Sequence, residues 1–292
     1  MEKAAVAFCP GHISGYFRPV LGVSPNKTGS TGAGIVISEG VTARVEPADR
    51  TRVEITRADR EGPVIERKTG SPPVEYLLQS LGVTAHVTTR CHLPISAGFG
   101  LSASALTASA MAVNQVFSLG LSLVECSHFA HIAEILHKTG LGDVAASQGG
   151  GIDCRKGPGI DAEITRIAGP FPPLCAVTFG PLPSPGILGS PVIMDQVTRA
   201  FPGTCPGSIE ELLALSRGFA EKSGLITPDV RHALALCDTA GVPASMTMLG
   251  NGIFAIGDNA FRVLSDYPLV FTLQIASAGP RLLSRDSWPC FR

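Results

Sequence analysis

The chain is poor in charge. Only 16% of its 292 residues are Asp, Glu, Lys or Arg, and 23 basic against 24 acidic residues leave a formal net charge of -1. With no global field and no run of Lys and Arg, it carries no electrostatic footprint for nucleic acid or an anionic membrane surface. No uninterrupted apolar stretch approaches the roughly 20 residues a membrane span needs. The opening "MEKAAVAFCPGH" is broken by Pro10-Gly11 before it reaches signal-peptide length. The eight cysteines include no C-x-x-C pair. Their wide, irregular spacing in a chain this long predicts reduced core thiols rather than a disulfide framework. There is no internal repeat and no low-complexity tail. These absences predict a cytoplasmic globular protein with neither nucleic acid nor membrane as a partner.

What is present is apolar residues, 45% of the total, enough for a sizeable core. "AAVAF", "GIVIS", "VTARVEP", "TRVEITRA" and "VTAHVTTRC" are short, rich in Val and Ile, and bounded by Gly, Pro or Asp, which predicts strands. "PPVEYLLQSLG" predicts a helix, with Pro72-Pro73 at its start and Gly82 past its end. Longer helices are expected from about Ser102 to Leu119 and from Leu123 to Lys138. A proline-rich change of texture between residues 160 and 175 suggests a boundary, giving lobes 1–165 and 166–292. In the second lobe, strands are expected at "LCAVTF", "SMTMLGNGIFAI" and "VFTLQIAS", and helices at "SIEELLALSRGFAEKSG" and "TPDVRHALALCDTAG". The fold class expected is α+β in two lobes.

The chemistry concentrates in "PISAGFGLSASA", Pro94 to Ala105, which feeds a helix. Small residues leave backbone N–H groups open, and a helix N-terminus adds unpaired donors and partial positive charge, an arrangement suited to phosphate. The stretch is not a Walker A loop, because no G-K-[ST] follows, and the third glycine of the dinucleotide fingerprint is missing. A glycine-rich helix cap with close packing over the alanines is the alternative.

The stretch resembles the phosphate loop of the GHMP kinases, P-x-x-x-G-L-x-S-S-A. Pro94, Gly98, Ser102 and Ala103 match, Phe99 stands for Leu, and Leu101 for the first Ser. The resemblance implies a two-lobed GHMP kinase fold, with ATP phosphates held by Pro94, Ala97, Gly98, Phe99, Gly100, Leu101, Ser102 and Ala103. Three further stretches follow the family's order: "CPGHISGYF", "GDVAASQGGG" and "MTMLGNGIFAI". Asp143, in register with the family's D-x-x-x-S-x-x-G-G, is implied as the catalytic carboxylate, and Ser102 with Glu134 as the Mg2+ ligands. His128, His131 and His137 do not have the H-E-x-x-H spacing of a zinc site and are expected at the surface or as caps.

Within the superfamily the chain is most similar to the archaeal-type pantoate kinases, through "GSTGAGIVISEGVTARV" together with the other motifs. That implies transfer of phosphate from ATP to the primary hydroxyl of (R)-pantoate, giving 4-phosphopantoate in coenzyme A biosynthesis. The partner is thus a small hydroxy acid. Its candidate contacts are His12, Ser14, Ser30, Gly32, Arg155, Gly250 and Asn251, with Arg155 first choice for the carboxylate and Arg18 and Lys156 as further cations. Mevalonate, homoserine or shikimate as acceptor, a decarboxylase of the mevalonate diphosphate type, and a non-catalytic ligand sensor remain open. A homodimer is the base-rate expectation for a kinase of this size.

Overall fold

The computed structural model describes residues 4–59, 63–182 and 184–288; Cys290 lies outside them. The first half runs β1 (Ala5–Val20), β2 (Gly29–Pro47), β3 (Arg52–Ala58), β4 (Val64–Thr69), α1 (Pro72–Ser80), β5 (Ala85–Cys91), α2 (Leu101–Phe117), α3 (Leu123–Leu136), α4 (Asp143–Ala146), β6 (Ile152–Arg155) and β7 (Ile164–Ile167). The second half runs β8 (Leu174–Thr178), α5 (Ser184–Leu188), α6 (Pro191–Ala200), α7 (Ile209–Ser223), α8 (Pro228–Thr239), β9 (Ala244–Met246), β10 (Gly252–Ile256), α9 (Ala260–Leu264), β11 (Val270–Leu273) and β12 (Arg281–Leu283). Among the described residues no helix is long and apolar enough to cross a membrane.

Among the described residues eight strands form one sheet, in the order β12-β1-β2-β5-β3-β4, with the β6–β7 hairpin attached to β2. All its pairings are antiparallel except β3 with β5. The length of β2 makes this possible: Val41–Pro47 pairs with β5, while Gly32–Ile35 pairs with β6. The second sheet is antiparallel, in the order β11-β8-β10-β9. The α+β architecture expected from the sequence is the one observed.

The α2 helix explains how the first sheet is covered. It is alanine-rich and buried on nearly every face, from Ala103 through Val116, so it packs against β1, β2 and α3 together. Small side chains let those backbones approach closely. The α3 helix starts with a complete capping box, Ser122 and Glu125 bonding each other's backbone N–H. The two halves share one continuous core. Ile13, Tyr16 and Ile35 of the first sheet lie in the same cluster as Val177 and Phe254 of the second and Phe219 of α7, a helix that packs on both β1 and β9.

Three expectations are corrected. "GIVIS" and "VTARVEP" are one strand, β2. Pro10-Gly11 does not turn the chain, since β1 continues through it to Val20 with a register shift between Pro10 and Gly11 and another between Ser14 and Tyr16. Such irregularities re-aim side chains beside functional sites. Third, the cysteines are not all reduced: Cys154 of β6 is bonded to Cys205, 51 residues on. The α6–α7 connection carrying Cys205 is brought there by Tyr16, whose hydroxyl donates to the Thr204 carbonyl at 2.8 Å. Cys9, Cys91, Cys126, Cys175 and Cys237 are free and buried.

Candidate active site

The loop before α2 is held open by left-handed backbone at Ser96 (φ 61), Gly98 (φ 84) and Gly100 (φ 63). The glycines serve close packing as well as backbone angle. A Cβ on Gly98 would stand 3.0 Å from Thr247 Cβ and 3.1 Å from Gly250 Cα. On the other side, the His12 N–H donates to the Phe99 carbonyl at 3.0 Å. The loop is thus pinched between β1 and the β9–β10 turn. Gly100 caps α2 without a side-chain hydrogen bond, and the first helical bond is from the Ser104 N–H to the Gly100 carbonyl at 3.1 Å. The backbone N–H groups of Leu101, Ser102 and Ala103 therefore have no partner within the helix. Ser104 itself is turned inward, its hydroxyl donating to the Pro10 carbonyl at 2.8 Å.

These donors border a cavity of about 390 Å3, within the size range of small-ligand sites. Gly98 to Ala103 line it. Ile55, Val74 and Cys91, from β3, α1 and β5, give it apolar wall, and Ser14, Asp143 and Met248 also line it. The apolar wall suits a flat ring system, and sequence motifs gave no signal for it.

Behind Asp143 lies a chain of alternating charges. His12 Nδ1 is 2.7 Å from Asp143 Oδ1, and His12 Nε2 is 2.7 Å from Asp153 Oδ1. Asp153 in turn is bonded by Arg155 Nη1. His12 and Asp153 are 0% exposed and Arg155 2%, while Asp143 reaches the cavity at 18%. An ionised carboxylate only accepts, and neutral imidazole has one donor, so with both acids ionised the two short contacts are met by imidazolium. The surroundings agree: burial alone would lower the His12 pKa, but Asp153 and Asp143 outweigh it, and it is raised above 6.5. Burial opposes ionisation of Asp153 as well, yet Arg155 and His12 hold its carboxyl well below the ordinary range.

Glu134 stands on the other side of Asp143. A Cβ on Gly140 would collide with Glu134 Oε1 and stand 3.0 Å from Asp143 Oδ2, so the two carboxylates face one small gap. Glu134 is fully buried, and neither of its oxygens has a hydrogen-bond partner. His131 Nδ1 is 3.4 Å away, and its Nε2 bonds the Thr28 carbonyl at 2.9 Å. Burial and the charge of Asp143 raise the Glu134 pKa despite His131. A buried carboxylate with His131 as its one ion-pair partner among the described residues, beside a second carboxylate, leaves oxygen ligands facing one gap, and a hard divalent ion fits such a donor set.

Ser30 and Arg155 meet beside Gly142, where a Cβ would stand 2.6 Å from Ser30 Oγ and 2.9 Å from Arg155 Nε. That Nε has no hydrogen-bond partner. Other candidates lie elsewhere. The Asn251 side chain is bonded by Thr227 at 2.7 Å, and Gly32 lies in β2 opposite Arg155. Arg18 stacks over Phe201, 5.0 Å from its centroid, and Lys156 pairs with exposed Glu163. His131 corrects the expectation of a surface residue: it is 0% exposed because α3 turns it, with Glu134, toward the interior. Asp153 went unrecognised, since nothing local marks an acid whose partner is 141 residues away.

The sequence pattern of the GHMP kinases N terminal domain matches residues 69–151. The chain is 45% identical over 284 residues to a pantoate kinase of Methanospirillum hungatei, covering 97% of this chain and 98% of that one. It is 31% identical to a pantoate kinase of Thermococcus kodakarensis, over 91% of this chain and 94% of the relative. Among solved structures, one described as a phosphotransferase related to the CoA biosynthesis pathway superposes with a TM-score of 0.78 at 26% identity, covering 96% and 98% of the two chains.

Removing the central acid tests the charge chain. Asp153→Asn leaves His12 and Arg155 buried without their shared anion and should cost about 3–5 kcal/mol at neutral pH, read by denaturant unfolding. The Asp153 pKa lies below its ordinary 3.8, so its contribution is present above pH 3.8 and lost as pH falls through the depressed value. The variant should therefore show a flatter acid limb than wild type; parallel acid limbs would contradict the chain.

Proposed function

The chain belongs to the pantoate kinase family of GHMP kinases, and on that basis we propose that it transfers the γ-phosphoryl group of ATP to the primary hydroxyl of (R)-pantoate, giving 4-phosphopantoate in coenzyme A biosynthesis. The observation that carries the reading to atoms is the uncapped N-terminus of α2 opening on the same cavity as Asp143. Backbone donors of Leu101, Ser102 and Ala103 receive the phosphates, as helix N-termini receive anions generally. The base of ATP lies against Ile55, Val74 and Cys91.

Asp143 accepts the hydrogen bond of the acceptor hydroxyl and aims its oxygen at the γ-phosphorus. As the new P–O bond forms and the bond to the β-phosphate bridging oxygen breaks, the hydroxyl proton passes to Asp143 and ADP leaves. His12, charged and bonded to Asp143, holds that carboxylate in place, so His12 acts on Asp143 rather than on the substrate. Ser14 and Ser30 supply hydroxyls near the acceptor. Arg155 spends Nη1 on Asp153 but keeps Nε beside Ser30 for the carboxylate of pantoate. Glu134 and Ser102 are the residues that would hold Mg2+, which when bound offsets the charge of the phosphates.

Two outcomes test this. Asp143→Asn should lower kcat with pantoate by about 100-fold or more while ATP affinity stays near wild type. Wild type should release ADP with pantoate and not with mevalonate, homoserine or shikimate; turnover confined to another of these would overturn the acceptor. For the metal, Mg2+ should raise the melting temperature of wild type by linkage and leave Glu134→Gln unmoved. Equal shifts would remove Glu134 from the metal site.

A further inference from the structure

Asp143 begins a helix of four residues, too short to hold itself by its own hydrogen bonds. The chain after it runs through Gly149, Gly150 and Gly151 before it re-enters the sheet at β6. Something outside this segment must fix it. Arg166, on β7, spans it: Nη2 donates to the Ala146 carbonyl at 2.7 Å, and Nη1 donates to the Gly150 carbonyl at 3.1 Å. The last residue of α4 and Gly150, two residues before β6, are thus tied to a single guanidinium. A cation at the last carbonyls of a helix is also favourably placed against its dipole.

Arg166 has a second connection to the same carboxylate. It sits directly across from Asp153 in the β6–β7 ladder, and its charge helps keep Asp153 ionised. Asp153 holds His12, and His12 holds Asp143. Arg166 therefore reaches Asp143 by two routes, the backbone of residues 143–150 and the side chains of Asp153 and His12. It does not line the cavity.

We propose that Arg166 is a positioning residue for phosphoryl transfer, clamping residues 146–150 so that Asp143 keeps its place at the acceptor hydroxyl. This rests on the reading of Asp143 given above. Its role is separable from general stability because the clamp can be displaced with the arginine retained. A Cβ on Gly149 would stand 2.6 Å from Arg166 Nε and 2.9 Å from Cζ, close enough to push the flexible side chain off its two carbonyls. Gly149 has no left-handed backbone that alanine would strain.

The experiment is a double-mutant cycle with Arg166→Met, Gly149→Ala and the pair, measured as kcat and KM with ATP and pantoate. Misplacing a catalytic group by about 1 Å costs on the order of 100-fold, so Arg166→Met should lower kcat about that much with KM for ATP within about threefold. Gly149→Ala should lower kcat in the same way, and should add nothing in the Arg166→Met background because the side chain it displaces is gone. Arg166→Lys, keeping the charge and one donor, should recover part of the loss. Additive losses, or kcat within about threefold of wild type in either single variant, overturn the proposal. If Arg166→Met does not fold, Gly149→Ala alone decides by the same criterion. An inactive Asp143→Asn beside a fully active Gly149→Ala refutes the clamp and keeps Asp143. An active Asp143→Asn refutes the reading on which the clamp depends.

Discussion

His12 stands between two carboxylates, 2.7 Å from each, where water does not reach, and the arrangement of the site follows from how those charges are satisfied. Burying ionised groups is costly unless each has a partner of opposite sign in good geometry. Here Arg155, Asp153, His12 and Asp143 alternate in sign and sum to zero. The cost is offset only if all four are present and correctly placed, so the chain fixes position as well as charge. Its outer member, Asp143, is the one that touches the cavity.

The fold is arranged to deliver these four from distant parts of the sequence. A register shift in β1 aims His12 inward, and the length of β2 lets β6 carry Asp153 and Arg155 alongside. The same stretch of β1 bonds the loop before α2 through the His12 N–H and the Phe99 carbonyl. One short segment of strand thereby links the anchor of Asp143 to the loop whose backbone donors open on the cavity. Phosphoryl transfer leaves the protein little covalent chemistry to do, so relative placement of the two reactants accounts for much of the rate. Glu134 has a different logic. It is buried beside another carboxylate with, among the described residues, only His131, 3.4 Å away, to offset its charge, a cost to stability that a bound cation would relieve further.

Much of this was legible in the residues. The Val- and Ile-rich stretches bounded by Gly, Pro or Asp announced strands, and the helix after the glycine-rich loop was expected where α2 lies. The glycine- and serine-rich loop before α2 and the motif around Asp143 stood out because their pattern is local, and the structure brings both to one cavity. Asp153 did not, since it is defined by a partner in another strand. Arg155 read as a free cation because sequence cannot show the acid it pairs with, and His131 read as surface because the direction α3 faces is a tertiary fact. The unbroken course of β1 through Pro10 was hidden for a related reason: the register shift that accommodates Pro10-Gly11 depends on β2. The Cys154–Cys205 bond likewise depends on a loop docked by Tyr16, which spacing alone does not reveal.

The central claim is that His12 is a charged, doubly donating imidazolium in the folded enzyme. It can be read directly by NMR of protein labelled with 15N-histidine, with His12→Gln used to assign the signal. The account predicts that both ring nitrogens of His12 carry protons at pH values above the ordinary histidine pKa of 6.5, with the signal moved by Asp153→Asn. A neutral His12 in a single tautomer under those conditions would contradict the charge chain.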